Sequence, residues 1–196
     1  MNKKFNPEML KLIRKSKGLT QKDICNKPLI TQGTLSKLEQ GLIEPNNELL
    51  HNLSECFSIP VEFFYQDGRI YPPAIPFHRS RMALKKLIKE KIEAMANIYR
   101  IQIDKLSESI EVEINIPKIE SENMIPSDIA KITRSNLRVP YGPIKNMIEL
   151  LENNGVFIIL LNFNTEQFDG FTIIGDGVQP IIFINKHFPV DRIRFT

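Results

Sequence analysis

The polar side chains between Thr31 and Lys37 are the ones whose types and spacing could do chemistry. The amide of Gln32 can donate and accept at the same time, which suits the two edge atoms of an adenine in the major groove. The ammonium of Lys37 can donate to the acceptors of a guanine or to a phosphate. These residue types indicate hydrogen bonding to the edges and backbone of a nucleic acid.

Two short amphipathic helices are predicted to position these side chains. Thr20 is expected to cap the earlier helix of this pair, which carries Ile24 on its apolar side. Thr31 is expected to cap the later helix of the pair, and Gly41 is expected to end it. A tight turn between the two helices would present the small polar residues at the start of the second.

Further helices complete an all-α module of five helices. Asn6-Pro7 has the sequence of a helix start, and Gly18 is expected to end that helix. A fourth helix is predicted to open at Asn46 or Asn47, and a short fifth helix is predicted over residues 60–65. These five helices should form one compact domain over residues 1–66.

This module resembles the XRE-type helix-turn-helix family, to which the lambda repressor and Cro belong. The resemblance rests on the stretch Gly18-Leu19-Thr20-Gln21 and on the stretch from Thr34 to Gly41 with Pro45. It implies a sequence-specific, repressor-like transcriptional regulator that reads double-stranded DNA with a helix over residues 32–40. It also implies that Gln21 anchors a phosphate at a helix N-terminus. The DNA-binding positions are then Thr20, Gln21, Lys22, Thr31, Gln32, Gly33, Thr34, Ser36 and Lys37.

The charge of the chain supports a localised binding surface. The formal net charge is only +3, yet residues 1–40 contain nine Lys and Arg against three Asp and Glu. Residues 41–70 are acidic by comparison, so the positive charge is concentrated at one end of the module.

Cysteine use and hydropathy predict a cytoplasmic protein. Cys25 and Cys56 fall at apolar helix positions and are expected to be reduced core residues. The N-terminus has no apolar stretch of the kind that a signal peptide needs. The longest apolar run, residues 156–161, is too short to span a membrane, so no membrane contact is expected.

A linker over residues 67–118 is predicted to contain a long helix and an extended segment. Proline and glycine are frequent at its start, and apolar residues then recur at helical spacing over residues 82–106. Residues 110–116 alternate between apolar and polar side chains, which is typical of a strand.

A mixed α+β region is predicted over residues 119–196. Ser127 is expected to cap a helix that runs to about Leu137, and Gly142-Pro143 is expected to open another. Three strands are predicted over residues 156–163, 171–174 and 180–185, with a turn at Asp176-Gly177.

Residues 130–196 resemble the first part of the ImmA/IrrE-type (DUF955) metallopeptidase domain. The residues that carry the resemblance are Gly142-Pro143-Ile144, Asp169-Gly170-Phe171, Pro180 to Asn185, and Arg192 to Thr196. The resemblance implies a partial zincin-like fold with a small sheet. In that family the sequence after Arg-Phe-Thr is a helix with the zinc-binding motif His-Glu-x-x-His.

The sequence given ends before that motif, at Thr196. Its histidines, His51, His78 and His187, have no pair at the i, i+4 spacing that a zinc-binding helix needs. We therefore expect no metal, no cofactor and no enzymatic activity of the chain as given.

Two other functions stay open at this point. The chain could be a fragment of a regulator-metallopeptidase that cleaves a partner repressor when residues beyond 196 are present. It could also be an inactive sensory or antitoxin-like module that binds a protein partner through residues 120–196. Dimerisation through the long helix or through an exposed apolar sheet face is a further hypothesis.

Overall fold

The computed structural model describes residues 4–25, 30–67, 70, 85–107, 113–116, 119, 123–166, 168–175 and 178–187. The described residues form two compact units. The first comprises residues up to 70 together with the helical residues up to Ile103, and the second comprises the residues from Asp104 onward.

The first unit is helical, as the sequence predicts. Its elements are α1 (Pro7–Ser16), α2 (Gln21–Cys25), α3 (Gln32–Glu39), α4 (Asn47–Phe57), a 3₁₀ helix (Val61–Tyr65) and α5 (Lys86–Ser107).

Three of the helix caps predicted in the first unit are confirmed. The side chains of Asn6, Thr31 and Asn46 each accept a hydrogen bond from a backbone N–H of the helix that follows. Gly18 and Gly41 end α1 and α3 in the left-handed region, with φ of +68° and +70°. At Gly41 the pair of bonds from Gly41 N–H to Leu38 and from Leu42 N–H to Lys37 closes the helix.

The fifth helix of the predicted module is a 3₁₀ helix and not an α-helix. It begins after Pro60, and its five residues make little more than one turn. Phe63 and Phe64 are both buried, and their rings meet edge to face at a centroid distance of 6.2 Å.

The long helix begins and ends later than predicted, at Lys86 and Ser107 rather than at residues 82 and 106, and residues 82–84 lie outside the described ranges. Ala94 and Ile101 belong to the same hydrophobic core as Leu10 and Leu35. The helix assigned to a linker by the sequence thus contributes to the core of the first unit.

The second unit contains α6 (Pro126–Asn136), α7 (Met147–Glu152) and three strands. The prediction that Ser127 caps α6 is wrong, because the cap position is Ile125 and Pro126 occupies the first turn. The prediction that Gly142-Pro143 opens the next helix is also wrong. Asn146 caps α7 by accepting from the N–H of Glu149, so the helix cannot begin earlier.

The small mixed sheet has the strand order β1-β3-β2. Strand β1 (Phe157–Leu161) is parallel to β3 (Val178–Asn185), and β2 (Gly170–Gly175) is antiparallel to it. One face of the sheet is buried and carries stacked Phe171 and Phe183, whose centroids lie 5.1 Å apart. On the other face Leu160 and Ile174 are 41% and 58% exposed.

The predicted strand over residues 110–116 is not confirmed. Residues 113–116 belong to no strand, and residues 110–112 lie outside the described ranges. Asn115 N–H donates to the carbonyl of Asn154, at 3.1 Å, and does not join the sheet. The predicted turn at residues 176–177 is also outside the described ranges.

Candidate nucleic-acid interface

The helix α3 has one buried side and one open side. Leu35 and Leu38 are fully buried and fix the helix to the core. The open side is formed by the polar stripe, which we define as Gln32, Gly33, Ser36 and Lys37. Gln32 and Ser36 are four residues apart, as are Gly33 and Lys37, and Gly33 and Ser36 are three apart, so the stripe follows one side of the helix.

The beginning of α3 is held by two threonines. Thr31 Oγ1 accepts from the N–H of Thr34 at 3.2 Å, and the two hydroxyls lie 2.8 Å apart. Thr34 is half-buried, whereas Thr31 and Gln32 are exposed. The threonines are therefore engaged with each other, and the Gln32 amide is the polar group that projects from the first turn.

Gly33 leaves a gap in the middle of the polar stripe. A Cβ built on this residue would meet no atom within 4 Å. The backbone of α3 is thus accessible at this position, between Gln32 and Lys37. A partner surface can approach the helix more closely here than at any residue with a side chain.

The preceding helix, α2, begins with a reciprocal cap. Thr20 donates its N–H and its hydroxyl to Asp23 Oδ2, at 2.7 and 2.6 Å, and the N–H of Asp23 donates back to Thr20 Oγ1. The hydroxyl bond and then the backbone bond hold the pKa of the Asp23 carboxyl below its usual value. The carboxylate therefore stays charged, and the cap intact, at neutral pH.

A buried ion pair joins α1 to α3. Arg14 Nε and Nη2 donate to the two carboxylate oxygens of Glu39 at 2.5 and 2.8 Å, and Nη1 donates to the carbonyl of Leu19 at 2.8 Å. Both side chains are at most a tenth exposed. The bidentate geometry fixes the orientation of both groups.

Gln21, at the start of α2, is part of the same network. Its Nε2 donates to Glu39 Oε2 at 2.9 Å, so a single carboxylate ties α1, α2 and α3 together. The side chain that the family resemblance assigns to a phosphate therefore already has an intramolecular partner in this structure.

Sequence reasoning missed the roles of Arg14 and Glu39, although a signal was available. Arg14 stands four residues after Leu10, and Glu39 stands four residues after Leu35, so both occupy positions on apolar helix faces. Two charges of opposite sign at such positions in neighbouring helices indicate a buried pair.

The remaining predicted contacts lie on the surface or on the polar stripe. Lys22 and Lys37 are exposed, and within the described ranges neither forms an ion pair. Ser36 is half-buried, and its hydroxyl accepts from the Gln40 amide at 3.0 Å. The Lys37 ammonium, the Gln32 amide and the accessible backbone at Gly33 thus lie together on one side of α3.

The described residues contain no group of three or more His, Cys, Asp or Glu that could hold a metal ion. His51 is exposed, His187 lies 3.8 Å from Glu166, and His78 is outside the described ranges. Residues 188–196, which carry part of the ImmA/IrrE resemblance, are also outside them. Nor does any helix of the described part combine the length and the apolar character needed to cross a membrane.

Comparison with known proteins identifies one region of the chain. A helix-turn-helix family model matches residues 10–64, which contain α2, α3 and most of the first unit. No curated protein and no solved structure matches the chain at a significant level. The prediction of a Cro-like helix-turn-helix region is therefore confirmed, whereas the ImmA/IrrE-like region has no support from these comparisons and stays a prediction.

Proposed function

We propose that the chain is a sequence-specific, DNA-binding transcriptional regulator that inserts α3 into the major groove. The observation that carries the proposal is the polar stripe on a rigidly held helix inside a region that matches the helix-turn-helix model. An α-helix with its side chains is about 10–12 Å in diameter, which suits the width of the major groove, about 12 Å.

Each predicted contact has a distinct role in this proposal. Gln32 supplies a bidentate amide for adenine, and Lys37 supplies a cation for guanine or phosphate. Gly33 allows the helix backbone to come close to the bases, while Lys22 contacts the phosphate backbone. The hydroxyls of Thr20, Thr31 and Thr34 shape the two helix starts, and the hydroxyl of Ser36 lies in the middle of α3; all four are placed close to the groove.

The network around Glu39 supports this mode of binding. It fixes α2 and α3 relative to α1 before DNA is bound, so little ordering entropy opposes association. Gln21 acts in the proposal through its backbone position at the start of α2, because its side-chain amide is already bonded to Glu39.

We further propose that the chain acts by binding rather than by catalysis. The alternative, a regulator-metallopeptidase that cleaves a partner repressor, rests on the resemblance of residues 130–196 alone. A homodimer and a protein partner for residues 120–196 are consistent with the proposal, and neither is required for the test below.

The proposal is tested by selecting bound sequences from a random DNA library and then measuring affinity by fluorescence anisotropy. We expect Gln32→Ala and Lys37→Ala each to weaken specific binding by about 1–3 kcal/mol. Gln102→Ala and Lys105→Ala are matched controls, because these exposed residues lie on α5. Failure to enrich any sequence with folded protein, or equal losses in variants and controls, would refute the assignment.

A further inference from the structure

A groove of about 400 Å³ runs between the end of α1 and the middle of α5, within the first unit. Ile13, Met95 and Ile98 provide its apolar surface, and Tyr99 lines it with an aromatic ring that is 37% exposed. The hydroxyl of Ser16, which also lines the groove, already donates to the carbonyl of Ile13. The volume is within the usual range for small-molecule sites.

The charged residues that line the groove are both lysines, Lys17 and Lys91. Within the described ranges neither of them forms an ion pair, and no Asp or Glu lines the groove. Neighbouring lysines differ in this respect, since Lys15 lies 3.6 Å from Glu90 and Lys89 lies 3.7 Å from Glu93. The groove therefore combines an apolar floor with positive charge that no described acid neutralises.

The Lys91 side chain is held in place by packing. Its Cδ would lie 3.2 Å from a Cβ built on Gly18, and its Cγ and Cε within 4.0 Å, so the aliphatic stem runs along the end of α1. Lys91 is half-buried, whereas Lys17 is exposed. This packing restricts the conformations of the Lys91 stem before any ligand arrives, which lowers the entropy cost of binding.

We propose that this groove binds a small organic anion, a carboxylate joined to an apolar body. The body would rest on Ile13, Met95 and Ile98, and the carboxylate would accept from the ammonium groups of Lys17 and Lys91. An apolar surface with a few convergent polar groups is the usual composition of a ligand site. The proposal concerns α1 and α5 and is independent of whether α3 reads DNA.

The test uses the full chain and three probes of equal length: octanoate, octanol and octylammonium, each below its micelle-forming concentration. Amide chemical shifts are followed by NMR during each titration. We expect octanoate to give saturable shifts centred on residues 13–18 and 91–102, and to bind more tightly than the neutral and cationic probes.

The variant Lys17→Gln/Lys91→Met removes both charges and keeps an apolar stem at position 91. We expect it to weaken octanoate binding about fivefold or more, since each partly exposed ion pair contributes modestly. Lys11→Gln is the matched control, because Lys11 lies on α1 and does not line the groove. Absence of saturable shifts, shifts centred elsewhere, or equal binding of octanoate and octylammonium would each overturn the proposal.

Discussion

Arg14 and Glu39 each stand where an apolar side chain would complete the buried stripe of a helix. Their charges are compensated by two mutual hydrogen bonds, by the Leu19 carbonyl and by the Gln21 amide. A buried ion is costly when its partner is removed, because the remaining charge has lost both water and its counter-ion. The pair is therefore a sensitive point of the first unit.

We expect Glu39→Leu to lower the free energy of unfolding by about 3–5 kcal/mol, because it leaves the Arg14 guanidinium buried and uncompensated. The double variant Arg14→Met/Glu39→Leu should recover most of that loss, since no charge is left in the core. Urea denaturation, monitored by circular dichroism, measures the free energy of unfolding of the single and the double variant. Lys11→Ala is the control: it breaks the exposed Lys11–Glu8 pair and should cost less than about 1 kcal/mol. An equal loss in the single and double variants would contradict this account.

Single residues also mark the limit of sequence reasoning in the second unit. Asn185 is the last residue of β3, and its sequence position gives no hint that it is 1% exposed. Its Nδ2 donates to the carbonyls of Thr165 and Phe168, and its Oδ1 accepts from the N–H of His187. The carbonyls of Thr165 and Phe168 precede Asn185 by 20 and 17 residues, so no local sequence pattern could reveal these two bonds.

At the scale of elements, local capping chemistry explains where the prediction succeeds and where it fails. Thr31 and Asn46 were identified because their side chains cap the helix that follows directly. The start of α7 was misplaced because two plausible signals compete there, Gly142-Pro143 and Asn146, and only the second bonds to the helix. Periodicity predicts the type of most elements, with residues 110–116 as an exception, but it does not decide between nearby caps.

Gly33, inside α3, and Gly41, just after its end, provide a matched experiment. Gly33→Ala should raise the free energy of unfolding by about 0.5–1 kcal/mol, because the residue is helical and its Cβ would meet open space. Gly41→Ala should lower it by about 1–2 kcal/mol, because the residue has φ of +70° and its Cβ would lie 3.2 Å from Pro7 Cγ. Thermal or urea unfolding measures the change in the free energy of unfolding for both variants. A loss at both positions would show that the surface over Gly33 is not open.

At the scale of the whole chain, the described residues contain two cores, one around Leu10, Leu35 and Leu53 and the other around Phe171 and Phe183. The sequence predicted both secondary-structure classes, helical first and mixed afterwards. It did not predict that α5 belongs to the first core, because an amphipathic stripe does not specify the surface against which it packs.

Separate cores should respond separately to substitution. We expect Phe183→Ala to remove amide protection in β1, β2 and β3, with a loss of about 3–5 kcal/mol in local opening free energy. Protection in α1 and α3 should be unchanged. Leu53→Ala should give the reverse pattern, and native-state hydrogen exchange resolves both. Loss of protection throughout the chain in either variant would mean that the two units unfold as one.

The open space above Gly33 has a consequence for how this protein can change over generations. Most positions on α3 are constrained by the core, by a cap or by a bonded hydroxyl, so substitutions there compromise folding. Gly33 is free of these constraints, and a Cβ at this position would meet open space. A single mutation at this codon can therefore alter the surface chemistry of the helix and leave the scaffold intact. Together with Gln32 and Lys37, this residue is a position where a new binding preference can evolve at little cost to folding.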